Sequence, residues 1–279
     1  MSRIGIVGFG LMGGSLARSL RSIPTPPFVR ALSEDPVDLG KGVEAGVIHE
    51  IVEDLRDFFE GLELVVYCTP LGATLDLMEI HRPFLDPETL ITDVVSLKAP
   101  VLAKAQALRL ESTFVGCHPM TGGEGSGFEA SREGLFDDAR VWIVPGKASV
   151  EVVARIHEFW ASVGARPAII DASEHDALMA WISHVPQITA NALARVLGEA
   201  GIRRETLGPG GGDMTRLSGS GPEMWKDLLE HAPPVLPEAL EALERALSEI
   251  RIQLSDGRGD EIADTMERTR EWYKGEPWS

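Results

Sequence analysis

Seven short runs of consecutive apolar residues punctuate the first 170 positions: RIGIVG at 3–8, FVRAL at 28–32, LVVYC at 64–68, LITDV at 90–94, FVGC at 114–117, VWIV at 141–144 and PAII at 167–170. The runs are continuous rather than alternating, and many are β-branched, as expected of strands covered on both faces. Between them lie stretches with apolar residues three and four apart: GGSLARSLRS, AGVIHEIVEDLRDFF, GATLDLMEI and EVVARIHEFWASVG. Strand–helix alternation of this kind predicts an α/β fold with a doubly wound, mostly parallel sheet.

After Asp171 the pattern changes. ASEHDALMAWISHVPQITANALARVLGEAG reads as a long helix or a helix pair, and EIADTMERTREWYKG as a further helix. PPVLPEALEALERALSEIRIQLSD places Leu236, Leu240, Leu243, Leu247 and Ile250 on one side of another. No strand pattern follows Ile170. The expected organisation is a first domain over residues 1–171 and an all-helical domain over 172–279. A small domain buries a lower fraction of its surface, so its apolar helices either form a homodimer or pack on the first domain.

Composition narrows the function classes. Apolar residues make up 44% and charged residues 25% of 279, ordinary for a globular chain. The net charge of -17 repels phosphate backbones, which argues against nucleic acid as a partner. No run approaches a membrane span, and the N-terminus has no signal-peptide pattern. Cys68 and Cys117 make neither a disulfide framework nor a metal site; as thiols ending apolar runs they fit a cytoplasmic protein.

The first strand runs into GFGLMG, a G-x-G-x-x-G that opens a helix. Gly8 allows the turn, Gly10 lets a pyrophosphate approach the backbone, and Gly13 permits close helix–strand packing. This context predicts a Rossmann-type dinucleotide site built by Gly8, Phe9, Gly10, Leu11, Met12 and Gly13, with Ser33 and Thr69 at the ends of neighbouring strands. The acid expected about 20 residues on is replaced by Ser33, followed by Glu34 and Asp35. Ser33 could bond a ribose hydroxyl or tolerate a 2′-phosphate, and either acid could serve instead. No Arg follows to hold a phosphate, so NAD is favoured over NADP.

GCHPMTGGEGSG at 116–127 holds one His and five glycines directly after a predicted strand, hence at the carboxyl edge of the sheet. DVVSLK at 93–98 ends the preceding strand on the same edge. His118 is therefore a candidate proton acceptor, with Ser96 orienting its imidazole. The plainer alternatives are a loop histidine satisfied by backbone, and a serine capping the helix that follows. In the helical half, His184 on an apolar face reads equally as a core residue. Arg216, in the glycine-rich GPGGGDMTRLSGSGPEMW, reads as a carboxylate fork or as a solvated charge.

GIVGFGLMGGSL, DVVSLK, GCHPMTGGEGSG, SHVPQ and GGGDMTRLSGSGPEMW, in this order, resemble prephenate/arogenate dehydrogenases of tyrosine biosynthesis. The resemblance implies oxidative decarboxylation of prephenate, a cyclohexadienol with a ring carboxylate and a pyruvyl side chain, to 4-hydroxyphenylpyruvate. Arogenate is the alternative substrate. It implies that His118 accepts the ring hydroxyl proton, that Ser96 supports His118, and that Arg216 binds a substrate carboxylate. It also implies that His184 contacts substrate, Glu124 shapes the pocket and Trp225 packs near it. The family dimerises through its helical domain. No regulatory domain follows and no chorismate mutase segment precedes, so a single activity is expected. A β-hydroxyacid-type dehydrogenase is disfavoured, because no Lys lies between Lys147 and Lys226. A non-catalytic NAD(P)-binding dimer would not need His118, Ser96, His184 and Arg216.

Overall fold

A computed structural model describes residues 1–123 and 125–278. Eight strands form one sheet: β1 (Arg3–Val7), β2 (Phe28–Leu32), β3 (Glu50–Ile51), β4 (Leu64–Tyr67), β5 (Leu90–Asp93), β6 (Phe114–Pro119), β7 (Arg140–Val144) and β8 (Arg166–Ile169). Their order is β3-β2-β1-β4-β5-β6-β7-β8, and every pairing is parallel except β6 with β7. The order reverses between β1 and β4, which opens the crevice where such sheets bind ligands.

The continuous apolar runs are explained by the two faces. Ile4, Ile6, Leu64 and Val66 pack on one side with Leu16 and Leu20 of α1 (Leu11–Ser22) and Ile156 and Trp160 of α6 (Val150–Ser162). Their neighbours Val7, Val65 and Tyr67 pack on the other with Met78 of α4 (Leu71–His81) and Val101 of α5 (Ala99–Ala107). Side-chain alternation thus feeds two cores from one strand.

One stretch folds differently from its pattern. AGVIHEIVEDLRDFF is not a single helix: α2 (Pro36–Glu44) ends before it, β3 crosses its middle, and α3 (Leu55–Phe59) takes its end. Gly46 adopts φ +65°, which ends the helix, and Asp54 caps α3 through the N–H groups of Arg56 and Asp57.

Beyond β8 the described chain is helical: α7 (Ala172–Met179), α8 (Val185–Glu199), α9 (Pro209–Thr215), α10 (Pro222–Glu230), α11 (Val235–Ser255) and α12 (Gly259–Tyr273). Ala180–His184 forms a π-turn between α7 and α8, with the Val185 N–H bonding the Ala180 carbonyl. The glycine-rich 208–225 stretch is mostly helical, although Gly210, Gly211 and Gly212 all lie in α9. Two carboxylates of this half bond the first: Asp176 accepts from the N–H groups of Lys98 and Ala99, and Asp227 from that of Gly72. No described helix is long and apolar enough to cross a membrane.

Candidate active site

The glycine turn has the geometry its residues dictate. Gly8 sits at φ +92°, and a Cβ there would lie 2.6 Å from Thr69 Cγ2. A Cβ on Gly13 would lie 2.0 Å from the Gly8 carbonyl oxygen. Gly10 is different: its nearest neighbour would be the Gly127 nitrogen at 3.8 Å, so space is left in front of it. Helix α1 begins there with no side-chain cap and no acid in its first turn. Its first N–H groups, at Leu11, Met12 and Gly13, have no intrahelical acceptor and suit an anion. The residues present therefore fit a dinucleotide pyrophosphate.

The Phe9 side chain takes no part in this surface, which leaves only its backbone to serve the cofactor. It is buried under Gly42 and stacks on Phe128, with ring centroids 5.0 Å apart, because the turn directs it into the core. At the end of β2, Ser33 Oγ accepts from the Asp35 N–H, and the Asp35 carboxylate caps α2 through Val37. Of the two acids, Asp35 is engaged and Glu34 is exposed. Thr69, beyond β4, pairs its hydroxyl with Thr74.

His118 lies on β6, not on the loop after it. Strand β7 pairs antiparallel with β6 as far as Pro119, opposing His118 to Trp142, and this extends β6 past the end of β5. A paired strand holds the imidazole more firmly than a glycine-rich loop would. On the same face, Gly116 leaves room for the Lys98 stem, whose Cδ would be 3.1 Å from a Cβ there. Lys98 is wholly buried, paired with Asp93, and donates to the Cys117 carbonyl at 2.6 Å.

The expected partner of His118 is replaced. Ser96 makes no hydrogen bond among the described residues, either to His118 or as a helix cap; it lies on a bend ahead of α5, where Asp176 supplies the cap from another element. His118 Nδ1 instead lies 3.0 Å from His175 Nε2, and His175 Nδ1 lies 2.7 Å from Asp176 Oδ1. Burial, the Lys98 charge and the two neighbouring histidines, His175 and His184, hold His118 well below the usual histidine range, so it is neutral. Burial works against the Asp176 charge, yet bonds from His175, Lys98 and Ala99 hold its carboxyl below the usual range.

His184 ends the π-turn and is buried, and neither of its ring nitrogens has a partner among the described residues. Its ring meets Trp225 edge-on at 5.8 Å, and burial lowers its pKa. A π-turn shifts side chains off the regular helical register, and Pro186, without an N–H, follows it. The indole N–H of Trp225 is likewise buried without a partner among the described residues. Arg216 follows α9 on an exposed turn over Arg216–Gly219, which the Leu217 carbonyl joins to Gln187 of α8 at 2.8 Å. Glu124 lies outside the described residues. The structure thus gathers His118, His184 and Trp225, and leaves Arg216 exposed on a turn bonded to α8.

Sequence reasoning missed His175, Asp176, Lys98 and Asp93. DVVSLK was singled out for its serine, whereas its buried pair is Asp93 and Lys98; SEHDA carries no periodic signal at all.

Residues 16–169 match the family described as prephenate dehydrogenase, nucleotide-binding domain, and residues 171–268 match prephenate dehydrogenase, dimerization domain. The cyclohexadienyl dehydrogenase of Zymomonas mobilis is 28% identical over 96% of this chain and 93% of its own. The prephenate dehydrogenase of Bacillus subtilis is 28% identical over 98% of this chain and 75% of its own. A prephenate dehydrogenase structure from Aquifex aeolicus, in complex with hydroxyphenyl propionate and NAD+, superposes with a TM-score of 0.91. It is 25% identical and covers 99% of this chain and 98% of its own. Matched over both halves, residues 16–169 and 171–268, the chain belongs to the prephenate dehydrogenase family.

Proposed function

We propose that the protein oxidises and decarboxylates prephenate to 4-hydroxyphenylpyruvate, with NAD+ as hydride acceptor. The carrying observation is a buried, neutral His118 anchored at Nδ1, with no hydrogen bond on Nε2 among the described residues, beside an unpartnered His184. A neutral imidazole with one free nitrogen is what a hydroxyl proton requires.

His118 Nε2 takes the proton of the ring hydroxyl as that oxygen becomes a carbonyl-like centre. Bound nicotinamide supplies the acceptor for the hydride leaving the same carbon. Loss of carbon dioxide then makes the ring aromatic, and the phenolate oxygen so formed takes the proton back from His118 Nε2. His184 would bond a polar group of the substrate, Trp225 would wall the pocket, and Ser96 would support the site near the nicotinamide. Arg216 binds a substrate carboxylate. The glycine turn, Leu11 and Met12 hold the pyrophosphate, and Ser33 bonds the ribose through its hydroxyl proton, since its oxygen already accepts from Asp35. The exposed Glu34 beside it repels a 2′-phosphate, which supports NAD over NADP.

Residues 1–171 then carry the nucleotide and 172–279 the substrate contacts and the second copy. This division is supported by the sheet ending at Ile169 and α7 starting at Ala172. A homodimer is supported by exposed Trp181, Ile182, Leu247 and Leu254 on the helical half.

The test is kcat/KM for prephenate and for arogenate, each with NAD+ and NADP+, with the product identified. Prephenate with NAD+ should be the best pair. A higher value for arogenate moves the substrate assignment, and no turnover of either overturns the reading.

A further inference from the structure

Two groups behind His118 form a chain that the oxidation itself does not require: His118 Nδ1 to His175 Nε2 at 3.0 Å, and His175 Nδ1 to Asp176 Oδ1 at 2.7 Å. We propose that Asp176 and His175 fix the tautomer of His118 and then receive the proton's charge from it. This deepens the functional reading above and rests on His118 being its base.

The first half follows from donor counting. The Asp176 carboxylate accepts only, and it already takes the Lys98 and Ala99 N–H groups. The proton between it and His175 therefore belongs to His175 Nδ1. With its one ring proton on Nδ1, His175 presents a bare Nε2, which can only accept. His118 must donate from Nδ1, and its Nε2 is left without a proton, as a base needs. Reversing one donor along the chain would put the proton on His118 Nε2 and disable it.

The second half follows from charge. When His118 Nε2 takes the hydroxyl proton, a cation would form in a buried site close to the Lys98 ammonium, which is itself wholly buried. One bond away, His175 touches a carboxylate. As the substrate O–H bond breaks and the N–H bond forms at His118 Nε2, the proton on His118 Nδ1 passes to His175 Nε2. His118 ends neutral, and the positive charge rests on His175 against Asp176. The shift reverses when His118 Nε2 returns its proton to the phenolate oxygen formed on loss of carbon dioxide. His175 and Asp176 touch no reacting atom; they are positioning residues that act through His118.

The test uses ligand-free full-length protein with 15N-labelled histidines, so it does not depend on which substrate is turned over. The His118 resonances, assigned by their loss in His118→Gln, should show a protonated Nδ1 and a bare Nε2. A protonated Nε2 overturns the proposal. Asp176→Asn, whose amide can donate to His175, should invert the pattern and lower kcat by about a thousandfold or more, with the substrate KM little changed. An unchanged kcat in a folded Asp176→Asn protein also overturns it. His175→Gln, whose carbonyl can still accept from His118 Nδ1, should keep the wild-type tautomer and recover part of the kcat lost in His175→Leu. If Asp176→Asn does not fold, the wild-type nitrogen shifts decide alone.

Discussion

Two glycines of one motif separate folding from binding at the level of single residues. A methyl on Gly13 would meet the Gly8 carbonyl at 2.0 Å, whereas a methyl on Gly10 meets nothing nearer than 3.8 Å. Gly13→Ala should therefore lower the melting temperature sharply. Gly10→Ala should melt almost as the parent does but bind NAD+ at least about tenfold more weakly, since it obstructs the pyrophosphate. Calorimetry and a titration with the nucleotide check both, and a Gly10→Ala protein with unchanged NAD+ affinity would move the pyrophosphate elsewhere. Arg216→Ala should raise the substrate KM and leave the NAD+ Kd alone; loss of nucleotide affinity instead would assign Arg216 to the cofactor. The chemistry-bearing residue types were legible here. GFGLMG, His118 and His184 stand out in the sequence because glycine clusters and polar groups in apolar runs are local signals. Ser96 misled for the same reason: a hydroxyl one strand away is a reasonable partner on paper, but the bond went to His175, which only tertiary structure brings near.

Helix caps show at the scale of elements why those partners were hidden. Helices α2, α3 and α6 are capped from their own sequence by Asp35, Asp54 and Ser149. Helices α4 and α5 have no side-chain cap of their own. Carboxylates from the helical half supply both, Asp227 at Gly72 and Asp176 at Lys98 and Ala99. A cap supplied across more than 70 positions leaves no capping motif to read. It also fixes the helical half against the carboxyl edge of the sheet, where His118 lies. Asp227→Ala should thus cost about 1 kcal/mol of stability, as loss of a helix cap does. Chemical denaturation measures it, and no change would mean that this contact does not help hold α10 in place. The same limit explains β3 and α9. A two-residue edge strand is too short to show a period, and three consecutive glycines argue against a helix that tertiary packing nonetheless imposes.

For the whole molecule, the alternating layers were readable because each strand feeds two cores, but the buried charges were not. His81, His118 and His184 are all held neutral by burial, His81 with its pKa lowered to about 4. The unfolded chain takes up protons on these groups near pH 6.5 while the folded chain does not, so stability is full above that pH and falls below it. For His81 the loss runs from about pH 6.5 down to about pH 4. Denaturation midpoints measured across this range should decline with acid, and a flat profile would mean that these histidines are accessible to protons in the fold. The neutral state of His118 has a functional counterpart: a base that stays unprotonated at neutral pH is ready to accept. The most direct test of the functional account is the rate of NADH formation from prephenate by the wild-type protein and by His118→Asn, with the NAD+ Kd measured for each. Wild-type protein should release 4-hydroxyphenylpyruvate and carbon dioxide in step with NADH, and His118→Asn should lose roughly 100-fold or more in kcat at unchanged NAD+ affinity. A His118→Asn protein that turns over prephenate at the wild-type rate would contradict the account.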